Sequence, residues 1–136
     1  MTYEFDVDGK IIGKERPRVN TNTGFIYTPN KTKDYEFYIE QCFKVKYPNF
    51  EQIEGRVSVE IIAYLAIPKS TSKKTKEQML KGEISPTKKP DVDNIAKSIL
   101  DAMNNFVFKD DTQVTKISIT KLYSEQEFVH IKVIEY

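Results

Sequence analysis

The sequence has very little cysteine and histidine: Cys42 and His130 are the only examples among 136 residues. A single cysteine excludes a disulfide within the chain and a cysteine-based zinc site. With one histidine, a serine or cysteine triad is not expected, and zinc is disfavoured because the two residues lie far apart in the sequence. His130 is predicted to be a surface residue of the last strand.

The sequence also lacks a long hydrophobic run and a secretion signal. No apolar stretch approaches the roughly 20 residues that span a bilayer, and the first ten residues, MTYEFDVDGK, are acidic and alternating. Hydrophobic residues make up 39% of the chain and charged residues 30%, which is typical of a globular protein. We therefore expect one domain over residues 1–136, a cytoplasmic location and no membrane partner.

Several nucleotide-binding and catalytic motifs are missing as well. There is no GxxxxGK(S/T) phosphate loop, no GxGxxG dinucleotide motif and no GxSxG nucleophile motif. No RNA-recognition or helix-turn-helix signature is found. No small-molecule cofactor is therefore expected.

Hydrophobic periodicity predicts the secondary structure. Asp8-Gly9 between YEFDV and KIIGK predicts a hairpin, followed by a long loop or a second, irregular hairpin. Helices are predicted from Asn30 or Thr32 to about Tyr47, from a cap at Ser70, Thr71 or Ser72 to near Gly82, and over residues 93–105. Val57–Pro68 is predicted to be a central strand, and the last two strands an antiparallel pair joined through Ser124-Glu125-Gln126. This order predicts a small α+β (mixed α/β) domain whose mostly antiparallel or mixed sheet packs against helices.

The formal net charge of +1 conceals two basic stretches. Residues 69–89 hold seven lysines against two acidic residues, and residues 10–18 hold four basic residues against Glu15. Basic stretches that flank an acidic cluster suit a phosphate polymer, while two solvated loops are the alternative interpretation. The candidates for contacts with a DNA backbone are Arg16, Arg18, Lys69, Lys73, Lys74 and Lys76.

Aspartates are crowded into the segment KKPDVDNIAKSILDAMNNFVFKDDTQV, residues 88–114. Each has an ordinary explanation. An aspartate before a helix commonly caps it, which accounts for Asp91 or Asp93 but hardly for both. Asp101 can pair with Lys97, and the Asp110-Asp111 doublet can form a turn. Together these explanations are less convincing, because like charges placed close together reduce stability.

Helical geometry groups some of these side chains. An apolar stripe is formed by Ile95, Ala96, Ile99, Leu100 and Met103, and a polar strip along its edge by Asp93, Lys97, Asp101 and Asn104. The loop that carries Asp110 and Asp111 returns after about three helical turns. The sequence leaves open whether that loop meets the start of the helix.

If the acids converge, magnesium is the expected ligand. It prefers oxygen ligands and is usually held by a few carboxylates and a substrate phosphate. The ion polarises a phosphoryl oxygen and makes a bound water a better nucleophile. A neighbouring lysine stabilises charge on the scissile phosphate or protonates a leaving oxygen.

The same residues resemble a known family. PDVDNIAKSILDAMN, followed by FKDDTQV at Phe108–Val114, resembles the signature of the RusA-type endodeoxyribonucleases. These are the Holliday junction resolvases found in phages and prophages. The GKERPR element at Gly13–Arg18 and the Tyr27-Thr28-Pro29 element agree with this family, and the similarity covers essentially the whole chain.

The resemblance implies a homodimer that uses magnesium, or manganese in its place, to nick paired strands of a four-way DNA junction in recombination and repair. It implies that Asp91, Asp93 and Asp111 are catalytic metal ligands, that Asp110 is an auxiliary metal-binding residue and that Lys97 is catalytic. A two-fold dimer also suits the reaction, because resolving a junction needs two symmetric nicks. Apolar surface for its interface is expected on the Val57–Pro68 strand or at Phe25, Tyr27 and Tyr35.

Three alternatives compete with this interpretation. The chain would be another structure-selective metal nuclease, a non-enzymatic nucleic-acid-binding module whose acids are structural, or an RNA-processing enzyme. Comparing cleavage rates on junction, fork and duplex DNA distinguishes a junction resolvase from another structure-selective nuclease. A binding module would show no magnesium-dependent nicking. Comparing DNA with RNA substrates identifies an RNA-processing enzyme.

Overall fold

Two β-sheets and three α-helices make up the computed structural model, which describes residues 1–27 and 29–136. In chain order the elements are β1 (Thr2–Asp8), β2 (Arg18–Val19), β3 (Ile26–Tyr27), α1 (Asn30–Lys46), β4 (Val57–Ala66), α2 (Lys73–Leu80), α3 (Val92–Met103), a short 3-10 helix (Asp111–Gln113), β5 (Val114–Ser124) and β6 (Phe128–Glu135). Thr28, the middle of the Tyr27-Thr28-Pro29 element, lies outside the described residues.

The larger sheet has the strand order β1-β6-β4-β5. Strand β6 pairs antiparallel with both β1 and β4, whereas β5 pairs parallel with β4. The predicted α+β domain with a mixed sheet is therefore confirmed. Strand β4 is central, as its apolar sequence indicated, because both of its edges are paired.

An apolar core lies between this sheet and the helices α1 and α3. Helix α1 contacts β1 and α3, and α3 contacts β5. The core side chains of these elements include Val59, Ile61, Leu65, Ile39, Phe43, Ile95, Ile99 and Met103. The predicted apolar stripe of α3 is thus the buried side of the helix, with Ala96 and Leu100 at its half-buried edge.

The predicted hairpin across Asp8-Gly9 is wrong. Strand β1 pairs with β6 along its whole length, from Thr2 opposite Ile134 to Asp8 opposite Phe128. The Gly9 N–H, in a backbone with φ of 107°, donates to the Glu127 carbonyl at 3.0 Å. The chain after Gly9 is therefore directed away from β1, and residues 10–17 form a loop.

The predicted pairing of the last two strands is also wrong. Strands β5 and β6 run in opposite directions, but β4 lies between them. The connection from β4 through α2 and α3 places β5 on one edge of β4, which leaves the other edge for β6. Glu127, just before β6, helps to hold this arrangement. Its carboxylate accepts the N–H groups of Ala66, at the end of β4, and of Ile11 at 3.1 and 2.8 Å.

The remaining elements follow the sequence closely. Helix α1 starts at Asn30, as predicted, and residues 18–27 form the irregular hairpin that was one of two options. Ser72 is the cap of α2, because its hydroxyl accepts the Thr75 N–H at 3.3 Å. No helix in the described ranges is long and apolar enough to cross a membrane.

Candidate active site

The start of α3 carries two carboxylates that have no bonding partner among the residues that the structure describes. Asp91 occupies the N-cap position, with extended backbone angles, yet its side chain makes no capping hydrogen bond. Asp93 lies in the first turn of the helix, and both side chains are exposed. Neither carboxylate forms an ion pair with another residue of the described ranges. Their oxygens therefore remain free for a ligand.

The loop at residues 10–17 is fastened to this end of α3. The Lys14 N–H donates to the Asn94 carbonyl at 2.8 Å, and the Ser98 hydroxyl donates to the Ile12 carbonyl at 3.0 Å. A Cβ atom at Gly13 would lie only 2.9 Å from the Pro90 Cβ. A side chain at position 13 would push the loop off the helix, so glycine is needed for this close approach.

The loop and the helix start enclose an open groove of about 830 Å³. Its basic lining residues are Lys10, Lys14, Arg16, Arg18, Lys31 and Lys89, and its acidic lining residues are Glu15, Asp91 and Asp93. The basic residues outnumber the acidic ones two to one, although the whole chain is nearly neutral. This composition suits the backbone of a nucleic acid, with two carboxylates positioned to hold a cation beside it.

A charged network lies next to the groove along α3. Asp101 forms ion pairs with Lys97 at 3.3 Å and with Lys14 at 3.1 Å, and Lys14 also donates to Glu36 at 2.8 Å. Partial burial disfavours the charged Lys14, but its bonds to Glu36 and Asp101 outweigh this and raise its pKa. Lys14 is therefore a positively charged structural group. The Lys97 side chain is 57% exposed, so its ammonium remains accessible one turn after Asp93.

Asp110 and Asp111 lie at the opposite end of α3. Asp110 caps the short 3-10 helix: its carboxylate accepts the Thr112 N–H at 3.2 Å, and the Gln113 side chain accepts the Asp110 N–H at 3.0 Å. The Asp111 N–H donates to the side chain of Asn104, the C-cap of α3, at 2.9 Å. This contact ties Asp111 to the end of the helix, away from the groove.

Helix length sets the separation of the two acidic groups within one chain. At 1.5 Å per residue, positions 91 and 104 are about 20 Å apart along the axis, and positions 93 and 104 about 17 Å. Consistent with this, no three His, Cys, Asp or Glu side chains form a group that could hold a metal ion in residues 1–27 and 29–136. The convergence that the sequence left open does not occur within a single chain.

The predicted DNA-binding residues fall into two groups. Arg16 and Arg18 line the groove beside Asp91 and Asp93. Lys69, Lys73, Lys74 and Lys76 precede or belong to α2, which packs against β5, and Lys76 pairs with Glu125 at 3.5 Å. These four lysines are not among the residues that line the groove.

Sequence reasoning missed four basic groove residues as candidates. Lys10, Lys14 and Lys89 belong to the basic stretches that it noted, so charge alone was a usable signal. Lys31 is the second residue of α1 and reaches the groove only through the packing of that helix against α3. No local pattern could have indicated it.

Comparison with known proteins identifies relatives over nearly the whole chain. The family model described as endodeoxyribonuclease RusA matches residues 8–134. The chain is also 37% identical over 136 residues to the Bacillus subtilis (strain 168) protein described as "Uncharacterized protein YqaN", and the match covers 97% of this chain and 95% of that protein.

Proposed function

The chain belongs to the RusA endodeoxyribonuclease family, and we propose that it resolves four-way (Holliday) DNA junctions by paired symmetric nicks in recombination and repair. The observation that carries this proposal is the basic groove beside Asp91 and Asp93. It combines a surface for phosphates with two carboxylates that form no ion pair within residues 1–27 and 29–136. Each strand of a junction carries a row of phosphates, so a basic groove can hold one strand beside the acids.

The free oxygens of Asp91 and Asp93 fit a hard divalent cation, and we propose that they hold magnesium, with manganese as a substitute. Such an ion would polarise a phosphoryl oxygen and supply an activated water. The residues of the chain contribute the rest. Arg16 and Arg18 hold the strand by its phosphates, and the accessible Lys97 ammonium stabilises the negative charge that develops on the scissile phosphate.

We further propose that the working enzyme is a homodimer and that its two subunits share each site. In one chain, Asp111 is tied to the end of α3 opposite Asp91 and Asp93. A two-fold axis that sets two α3 helices antiparallel would bring Asp111 of the partner subunit to the start of the helix. Val92, Ala96 and Leu100 repeat every four residues along α3 and are partly exposed, which provides an apolar strip for such a contact.

Cleavage of a mobile four-way junction tests the activity. We expect nicks at symmetric positions with magnesium or manganese and none with calcium. Forks, linear duplexes and RNA junctions serve as competing substrates. Cleavage of forks at the same rate would identify a general structure-selective nuclease. Salt-sensitive binding without any metal-dependent nicking would leave a DNA-binding module in which the acids are structural.

Mixing two inactive variants tests the shared site. If each site takes Asp93 from one subunit and Asp111 from the other, an Asp93→Asn/Asp111→Asn heterodimer contains one site with both aspartates. Subunit exchange between the two variants should therefore restore a single nick per junction, although each variant alone is inactive. If both aspartates act within one subunit, the mixture stays inactive. A sedimentation measurement that gives a monomer mass with cleavage intact would exclude the dimer itself.

A further inference from the structure

The hairpin formed by β2 and β3 presents apolar side chains directly to solvent. Every residue from Arg16 to Tyr27 is exposed. Phe25 and Ile26 are more than 70% exposed, and Val19 and Tyr27 about half exposed. The hairpin belongs to a separate two-stranded sheet and does not extend the main one. A cluster of exposed apolar side chains of this kind marks a binding surface.

The two faces of the hairpin differ in chemistry. Arg18 lies opposite Tyr27, and Val19 lies opposite Ile26. Phe25 directly precedes β3, and its carbonyl accepts the Asn20 N–H at 2.8 Å, which continues the pairing by one position. Because side chains alternate along paired strands, Phe25 is expected on the face of Tyr27 and Arg18. One face therefore carries two aromatic rings and a guanidinium group, and the other carries two aliphatic side chains.

Local hydrogen bonds give the tip of the hairpin a defined shape. The Asn20 side chain accepts the N–H groups of Asn22 and Thr23 at 2.9 and 3.3 Å, and the Gly24 N–H donates to the Asn20 carbonyl at 2.7 Å. Gly24 has a φ of 75°, which glycine adopts without strain. The Asn20 N–H also donates to the Phe25 carbonyl at 2.8 Å. Phe25 is thus held next to the turn by its own backbone.

The aromatic face is continuous with the groove at the start of α3. Arg18 belongs to the hairpin and also lines the groove with Asp91 and Asp93. Residues 18–27 contain no acidic side chain, and the nearest acidic residue in the sequence, Glu15, pairs with Arg18 at 3.0 Å, so the hairpin itself adds no negative charge that would repel phosphates. A strand whose backbone follows the groove would bring its bases towards Phe25 and Tyr27.

We propose that the Arg18–Tyr27 hairpin stacks its aromatic face on unpaired or unstacked DNA bases next to the phosphate held in the groove. This proposal rests on the proposed function. Aromatic side chains beside a basic groove are the usual means of holding exposed bases, because every base has a π-face. Fully paired DNA hides those faces, whereas a branch point exposes them. The hairpin therefore supplies a preference for branched over continuous duplex DNA.

The chemistry of the hairpin favours bases over a second copy of this chain. A stable subunit interface buries about 800 Å² on each partner and involves about 20 to 30 residues a side. The hairpin has ten residues, and only four of them are large and apolar. An arginine on the same face as two aromatic side chains also matches a nucleotide, which offers a phosphate and a ring together.

Binding to junctions that carry 2-aminopurine at the branch point tests this proposal. The measurements are made in EDTA, so that cleavage plays no part. Wild type, Phe25→Ala, Phe25→Leu and Ile26→Ala are compared on a four-way junction and on a linear duplex of the same sequence. Ile26→Ala is the matched control, because it removes an equally exposed apolar side chain from the other face. Melting temperatures verify that each variant is folded.

We expect Phe25→Ala to weaken junction binding about tenfold and to abolish the change in 2-aminopurine fluorescence. Phe25→Leu should behave in the same way, because it keeps apolar bulk but loses the ring. The salt dependence should not change, since no charge is removed. Duplex affinity and the Ile26→Ala variant should match wild type.

Other results would overturn the proposal. Equal loss of duplex and junction binding in Phe25→Ala would mean that the hairpin contacts DNA without selecting exposed bases. Dissociation of the protein into monomers on sedimentation would make the hairpin a subunit interface. Unchanged binding by Phe25→Ala, with wild type still cleaving junctions, would refute the stacking role alone. Absence of any junction binding by wild type would refute the proposed function as well.

Discussion

An aspartate occupies an N-cap position near each end of α3, but only one of the two side chains makes capping hydrogen bonds. Asp91 precedes α3 and Asp110 precedes the 3-10 helix, so both are N-cap residues. Asp110 makes its capping bonds, whereas Asp91 makes none with its side chain. An acid that completes the hydrogen bonds of a helix contributes to stability. An aspartate at an N-cap position whose side chain makes no capping bond, and which lies beside a basic groove, is available to bind a ligand.

The largest effect that this comparison predicts is on cleavage. Asp93→Asn should reduce the rate of junction cleavage by about a thousandfold, because a metal ligand contributes several kcal/mol to the transition state. Junction binding should persist or improve, since a negative charge near phosphate is removed. Gel-based cleavage and binding assays measure both effects.

Asp34→Asn is the matched control for this experiment. Asp34 is exposed on α1 and does not line the groove. Its variant should cleave like wild type. Near-normal cleavage by Asp93→Asn, in protein free of wild-type contamination, would remove Asp93 from the site.

Lys97 should have the next largest effect. Lys97→Ala should slow cleavage by about a hundredfold or more, because a cationic group near the scissile phosphate is lost. Its melting temperature should hardly change, since Lys97 is exposed and Asp101 keeps Lys14 as a partner. Lys33→Ala, which removes an exposed lysine of α1, is the control. A fall in melting temperature that accounts for the lost activity would make Lys97 a structural residue.

Stability measurements sharpen the comparison of the two caps. Asp110→Ala should lower the free energy of unfolding by about 1 kcal/mol, as expected when a capping bond is lost. Asp91→Ala should leave it unchanged or raise it, because no side-chain cap is lost and repulsion with Asp93 decreases. Ser72→Ala removes the capping hydrogen bond of α2 and so provides a reference value for the loss of free energy of unfolding. Equal destabilisation by the two aspartate variants would mean that Asp91 also caps its helix in solution.

The two groups of basic residues can be compared through salt dependence. Arg16→Ala in the groove and Lys73→Ala on α2 should each flatten the slope of log affinity against log salt by about 0.9. Both should weaken junctions of every sequence alike, because phosphate contacts carry no base information. Lys132→Ala, on β6, is the control. An altered cleavage-site preference with an unchanged slope would indicate that the substituted residue reads bases.

A third group of carboxylates, Glu4 and Asp6, is bonded to His130. We expect this group to affect stability but not cleavage. His130 bonds to Asp6 at 2.5 Å and to Glu4 at 2.7 Å; partial burial opposes its charged form, but these bonds prevail and raise its pKa. A raised folded pKa contributes stability that is fully present below the unfolded value of about 6.5 and is lost as the pH rises through the folded value. Melting temperatures of wild type and His130→Gln should therefore converge at alkaline pH. A difference that is independent of pH would contradict this prediction.

Local patterns in the sequence predicted the elements better than their pairing. The apolar repeat of α3 and the cap of α2 depend on residues a few positions apart. The repeat is confirmed, and the cap is Ser72, one of the three residues predicted for it. The hairpin across Asp8-Gly9 was inferred from an equally local signal, but the Gly9 N–H bonds to Glu127, far away in the sequence. Similarly, Tyr35 was considered for a dimer interface and is buried in the core, whereas Phe25 and Tyr27 are exposed.

The sequence by itself determined which residues are candidates for the chemistry. Its motif identified the acids and Lys97 as candidates, and its periodicity placed Asp93 and Lys97 on one edge of the buried stripe of α3. These properties depend on residue type and on the pitch of a single helix, so no other part of the chain is needed to infer them.

Only the tertiary structure decided which of these residues meet. The bond from Lys14 to Asn94 brings the basic loop to Asp91 and Asp93, and the bond from Asp111 to Asn104 holds Asp111 at the other end of the helix. Neither contact follows a local repeat, because each joins segments whose approach depends on how loops and helices pack on the sheet. The length of α3 then keeps the acids apart, and for that reason a second subunit enters the proposed site.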